Sequence, residues 1–227
     1  MRVTERDVRL VKDVALSHVL SRDQIIGLGY FDSVSRANRR LSQLISARYV
    51  RIVTTSFHAQ RLYMVGANAS EICGERIGSL LGTRAQSPQF LQHALAVTNV
   101  RLRLIEQGAT DWRFEQQIRD LITFGDTIYQ VRADGLVMGV LGPVFLEVDL
   151  GHVSSNSFGK KLKGYDVYAK SGRFEAVYGS KVLRLLVVTT GHLRMAHLHE
   201  SAKCFSQVSV VFKTFAELAL DVPGGWS

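Results

Sequence analysis

The chain has 227 residues, 46% hydrophobic and 21% charged, with a formal net charge of +8; this is the composition of a globular protein with room for one large domain or two small ones, not of a disordered or fibrous chain. No apolar run reaches the length of a membrane span, and the charged start MRVTERDVRLVKD is unlike a secretory signal. Cys73 and Cys204 make neither a metal spacing nor a disulfide framework, so a reducing cytoplasm is the expected setting. The basic excess is concentrated: residues 1–66 hold eleven Lys/Arg against five acids, a surplus of +6, which points to a polyanion partner.

In chain order, Val8, Val11, Ala15 and Val19 recur at helical spacing from Thr4 to about Val19, and Thr4 with Asp7 reads as a capping box. Ser21 with Gln24 opens a second short helix that ends at GLGY. Asp32 or Ser33 caps a third, SVSRANRRLSQLISARY, whose apolar stripe is Val34, Ala37, Leu41, Leu44 and Ile45. Roughly opposite lie Arg36, Arg39 and Gln43, flanked by Ser35 and Arg40. Two strand-like runs, YVRIVTT and RLYMVG, are joined by SFHAQ as a hairpin. Three helices and then a hairpin is the order of a winged helix-turn-helix, in which the third helix enters the DNA major groove and the hairpin lies beside it. Arginine suits guanine or phosphate and glutamine suits adenine. The expected contacts to double-stranded DNA are therefore Ser35, Arg36, Arg39, Arg40 and Gln43 on the helix, with Arg51, His58 and Arg61 on the hairpin. A solvated basic face is the competing reading.

Residues 67–108 read as a linker and connecting helix: GERIGSLLGTRAQSP is irregular, and a helical pattern then runs from Pro88 to Gln107 and stops at Gly108. Two roles stay open for that helix, contact with a second copy in a homodimer or packing on its own domain. GERIGSLLG lacks the Lys-Ser/Thr of a phosphate loop.

Residues 109–227 read as mixed α/β. A helix is expected over DWRFEQQIRDLITF, two strands around an ADG turn in TIYQVRADGLVMGV, and a buried strand in VFLEVDL. The helix FGKKLKGYDVYAKSG and the apolar strand KVLRLLVVTT follow. In VFLEVDL the side chains alternate, so Glu147 and Asp149 share a face with Phe145. Two carboxylates there repel each other and lose hydration, and a cation would relieve them. HLRMAHLHE brings His192, His197 and His199 close in sequence; an extended run would place His197 and His199 on one face, but ordinary histidines are the expected reading. GPVF and VPGGW are turn punctuation.

This order of elements, with acids at these places, resembles the PD-(D/E)XK nuclease core. The resemblance implies catalytic roles for Asp134, Glu147 and Asp149, with Glu115 from the preceding helix and Lys161 from the following one; Asp134 and Glu147 would hold Mg²⁺. Two departures stand out: Ala133 precedes Asp134 where proline is usual, and Asp149 occupies the lysine position. The lysine would then come from the following helix, where Lys160, Lys161 and Lys163 lie and Lys161 shares a face with Tyr165. Two readings stay open. One is a non-catalytic domain in which Asp149 pairs with Lys161 or Lys163; the other is a metal-dependent endonuclease targeted by its winged helix.

Taken whole, SRANRRLSQL, RLYMVG, HALAVTNVRLRL, RADG, FLEVDLG and KLKGYDVYAKSG resemble, in that order, the replication-relaxation family of bacterial plasmids and mobile elements. The resemblance implies a DNA-binding protein connected with replication, transfer or gene control, and no established reaction.

Overall fold

The computed structural model describes residues 2–74 and 87–222. They fall into two compact units divided between Leu102 and Arg103, and together they are mixed α/β with several sheets. The expected linker GERIGSLLGTRAQSP and the turn VPGGW lie largely outside these residues.

The first unit contains α1 (Glu5–Leu16), β1 (Leu20–Ser21), α2 (Arg22–Gly27), α3 (Val34–Ser46), β2 (Val50–Val53), β3 (Leu62–Val65), α4 (Ser70–Cys73) and most of α5 (Pro88–Glu106). Local chemistry sets the helix starts. Thr4 and Asp7 form a reciprocal capping box at α1, Ser21 and Gln24 form another at α2, and Ser33 accepts from the Arg36 amide at α3. β3 is the middle strand of an antiparallel sheet ordered β1-β3-β2. The two-residue β1 had no sequence signal of its own. The core joins Leu10, Val11 and Val14 of α1 to Ile25, Ala37, Leu41, Leu44 and Val65. Val34, expected in the apolar stripe of α3, is instead exposed, because it sits at the first helical position, one turn before the first core contact at Ala37.

Three polar ties hold this unit together. Arg40 grips the buried carboxylate of Asp7 at both oxygens, Nε–Oδ1 2.9 Å and Nη2–Oδ2 2.5 Å. Arg101 of α5 does the same to Asp13 of α1 at 2.6 and 3.1 Å, and the Tyr30 hydroxyl donates to the same Asp13 at 3.0 Å. Gln24 Nε2 donates to the Leu95 carbonyl at 2.9 Å and to Asn99 Oδ1 at 2.7 Å. With Leu91, Ala94 and Leu95 packed on Val19 and Leu62, α5 is docked on its own unit.

The second unit holds β4 (Thr110–Phe114), α6 (Glu115–Ile118), β5 (Asp120–Phe124), β6 (Thr127–Val131), β7 (Gly135–Gly139), β8 (Gly142–Asp149), α7 (Ser155–Lys170), α8 (Arg173–Tyr178), β9 (Leu183–Thr189), α9 (His192–Ala202), β10 (Val208–Thr214) and a short helical turn, Ala216–Leu218. Its main sheet is ordered β10-β9-β8-β7-β4; β8, β9 and β10 are parallel, while β7 and β4 run antiparallel to their neighbours. Parallel neighbours need crossovers, supplied by α7 with α8 and then by α9. Phe145, Leu162, Tyr165, Tyr168, Phe174, Leu185 and Val187 form the core between sheet and helices. Gly164 lets α7 approach closely, since a Cβ there would lie 2.9 Å from the Gln130 carbonyl oxygen of β6.

Three sequence expectations change here. DWRFEQQIRDLITF is strand, one helical turn, strand rather than a helix; its aromatic and β-branched residues suit a pleated surface, and the Trp112 ring lies where a Cβ on Gly135 would clash at 2.4 Å. The ADG stretch is not a hairpin turn, because β6 pairs with β5 in a separate two-stranded sheet while β7 pairs with β4 and β8. HLRMAHLHE is helical, so His197 and His199 point about 200° apart, and His199 rests on Phe212 at 5.5 Å between ring centroids. Among the described residues no helix is long and apolar enough to cross a membrane.

Burial pushes the Asp7 carboxyl up, but hydrogen bonds from Arg40 and Thr4 outweigh it and hold the group down at about 2. The folded value lies below the ordinary 3.8, so this stabilisation is complete above that value and is lost as pH falls through the folded one. Urea denaturation between these pH values should show wild type losing about 2 kcal/mol through this carboxylate and Asp7→Asn losing correspondingly less. Equal acid limbs in both proteins would contradict the assignment.

Candidate functional site

The first candidate surface is the outer side of α3 with the β2–β3 hairpin. Ser35, Arg36, Arg39 and Gln43 are exposed on α3, as are Arg51 and Arg61 on the hairpin. Arg36 pairs with Asp32 at 2.7 Å, both largely in solvent, so that contact is weak. Arg40 is different. Besides Asp7 it donates to the Arg2 carbonyl at 2.8 Å and to Gln43 Oε1 at 2.6 Å. This side chain braces α3 against the start of the chain and draws Gln43 with it. Arg51 Nη2 lies 3.7 Å from Met64 Sδ. His58 is half-buried, its Nδ1 3.3 Å from both the amide nitrogen and the carbonyl oxygen of Gln60, so it organises the hairpin tip.

Sequence reasoning did not single out the opposite flank of α3. There Asn38, Ser42 and Ser46, spaced i, i+4, i+8, wall a groove of about 600 Å³ whose other side carries Arg22, Gln60 and Arg61. Their spacing was a usable signal, but short polar residues stood out less than the arginines beside them.

The second candidate site is the acid pair of β8. Glu147 and Asp149 are both buried, and each meets its own cation. Glu147 Oε2 accepts from Lys161 Nζ at 2.5 Å and Oε1 from the Tyr165 hydroxyl at 2.6 Å. Asp149 accepts from Arg194 Nε at 2.7 Å and Nη2 at 2.9 Å, and from Thr189 Oγ1 at 3.1 Å. The expectation that Asp149 would pair with Lys161 or Lys163 is therefore corrected. The Lys161 position on α7 lies over Glu147, Lys163 lies 3.8 Å from Asp166, and the first turn of α9 brings Arg194 to the end of β8. Arg194 carried no sequence signal beyond being a basic residue after the last apolar strand.

Asp134 Oδ2 accepts from the Val148 amide at 2.7 Å, and its charge acts on both Glu147 and Lys161. Burial pushes the Glu147 carboxyl up from its ordinary value and Lys161 pulls it part of the way back. Burial pulls the Lys161 ammonium down, but Glu147 and Asp134 outweigh it and leave it above its ordinary range. Glu115 pairs with Arg132, two residues before Asp134. The structure thus gathers Asp134, Glu147 and Lys161, sets Asp149 apart with Arg194, and holds Glu115 through Arg132.

Mg²⁺ requires a near-octahedral set of oxygens. Both oxygens of Glu147 and of Asp149 already accept hydrogen bonds, as does one of Asp134, and among the described residues no three His, Cys, Asp or Glu side chains form a metal-holding group. As arranged, this donor set does not fit the ion.

The sequence model of the replication-relaxation family matches residues 12–183. Of the solved structures, protein VC1899 from Vibrio cholerae is similar at 10% identity and a TM-score of 0.36, over 96% of this chain and 55% of that one. The chain thus spans about half the length of that protein. No curated protein matches.

Removing Lys161 takes away the main influence lowering Glu147. A carboxyl raised above its ordinary 4.5 destabilises the fold increasingly as pH climbs from that value through the folded one. Lys161→Met should therefore lose more stability at about pH 8 than at about pH 5, reaching about 3 kcal/mol. Glu147→Gln keeps a partner for Tyr165 and should cost about 1–2 kcal/mol with little pH dependence. A pH-independent deficit in Lys161→Met would count against the pairing.

Proposed function

The chain belongs to the replication-relaxation family, and from that premise we propose that it is a double-stranded-DNA-binding protein of a bacterial plasmid or mobile element, a regulator of replication, transfer or transcription. In this reading residues 1–66 are a winged helix-turn-helix, 67–108 connect it onward, and 109–227 are a PD-(D/E)XK nuclease-like domain retained without catalysis. The observation that carries the reading is the exposed face of α3 with Arg39, beside a hairpin bearing exposed Arg51 and Arg61, in a segment with a surplus of +6. A helix followed by a basic hairpin can fill the major groove and hold the adjoining backbone at once. The second unit supports the non-catalytic half of the reading, since its buried acids are neutralised by Lys161 and Arg194. A homodimer in the cytoplasm, reading paired half-sites, is part of the proposal.

Fluorescence anisotropy with duplex DNA should show affinity falling steeply with salt through counterion release, and Arg39→Ala should cost roughly 1–3 kcal/mol on a specific site. Absence of duplex binding at low salt would refute the reading. Supercoiled plasmid incubated with Mg²⁺ or Mn²⁺ should stay intact. Metal-dependent nicking by pure protein, abolished in Glu147→Gln, would establish an endonuclease instead.

A further inference from the structure

The groove between α3 and the β2–β3 hairpin belongs to neither the arginine flank of α3 nor the acid site. Its floor is apolar, including Ile45 and Ile52, and its rim is polar. One wall is the Asn38, Ser42 and Ser46 row; the other carries Arg22 at the start of α2 and Arg61 just before β3. Asp23, next to Arg22 in the chain, is engaged by Arg22 at 3.2 Å and by the Gln60 amide.

The two flanks of α3 are unlike in what holds them. On one, Arg36, Arg40 and Gln43 are drawn into bonds within the chain. On the other, Asn38 and Ser42 line the groove with Arg61, while Ser46 donates to the Ser42 carbonyl at 3.0 Å and Arg22 pairs with the exposed Asp23 at 3.2 Å. Hydroxyls, amides and arginines are the groups that position a sugar-phosphate backbone, and an apolar floor suits the face of a deoxyribose.

We propose that one strand of bound DNA runs along this groove. Arg22 and Arg61 hold successive phosphates, Ser42 donates to a phosphate oxygen, and Asn38 reaches the adjoining base edge. This rests on the DNA-binding reading and deepens it. The backbone-contacting path lies on the flank of α3 that faces the hairpin, not on the flank that carries Arg36 and Gln43.

The test is anisotropy with the full chain and a short fluorescein-labelled duplex of mixed sequence, titrated at several salt concentrations. Arg22→Ala and Arg61→Ala should each flatten the logarithmic salt dependence by about one unit. Lys12→Ala removes the same charge from an exposed position on α1 near Cys73 and should leave that slope as in wild type. Ser42→Glu, which puts a charge into the groove without removing a contact made elsewhere in the fold, should weaken binding at least about tenfold through repulsion of phosphate. It serves where an arginine variant fails to fold. Wild-type slopes in both arginine variants, with Ser42→Glu binding like wild type, would overturn the groove assignment and leave DNA binding standing. No binding by wild type at low salt would overturn both.

Discussion

Glu147 and Asp149 leave the same face of a central strand, and a buried face does not tolerate two bare carboxylates. Each therefore needs a cation from the layer packed above it. The parallel sheet supplies two: the crossover after β8 brings Lys161 on α7, and the crossover after β9 brings Arg194 on α9. The same helix that delivers Lys161 also delivers Tyr165 and Tyr168 onto Phe145, at ring distances of 5.7 and 6.5 Å. Charge neutralisation and core packing are thus two consequences of one helix position. Moving α7 along its axis would spoil both, which ties the register of the helix to the register of the strand.

A similar economy shapes the first unit. Asp7 and Asp13 of α1 are buried and each takes an arginine from elsewhere in the chain, Arg40 from α3 and Arg101 from α5. These two arginines are spent on architecture. The remaining exposed ones, Arg39, Arg51 and Arg61 among them, are what the unit presents to solvent. A count of basic residues therefore overstates the charge exposed at the surface.

Much of the first unit was legible because its signals are local. Capping boxes at Thr4 and Ser21 and the apolar stripe of α3 follow from spacing alone, and the structure carries them where the sequence places them, except at Val34, which is exposed. β8 was legible for the same reason. What escaped depends on distant contacts. The stretch around Glu115 mixes helical and strand character, and its strand state is decided by pairing with β7 and by Trp112 over Gly135. The ADG stretch looks like any tight turn until the partners of β6 and β7 are known. Lys161 could be placed beside Glu147 from helix spacing, whereas Arg194 lies 45 residues from Asp149 in a run that gave no hint of its direction. The groove beside α3 needed the hairpin as its second wall.

Lys161 and Arg194 neutralise the buried acids of β8 from within the chain. Calorimetric titration of Mn²⁺ into the purified full chain tests this neutralisation directly. With both acids already paired, no saturable heat and no change in melting temperature are expected on adding the ion. Saturable binding that raises the melting temperature of wild type, and that disappears in Glu147→Gln, would contradict it.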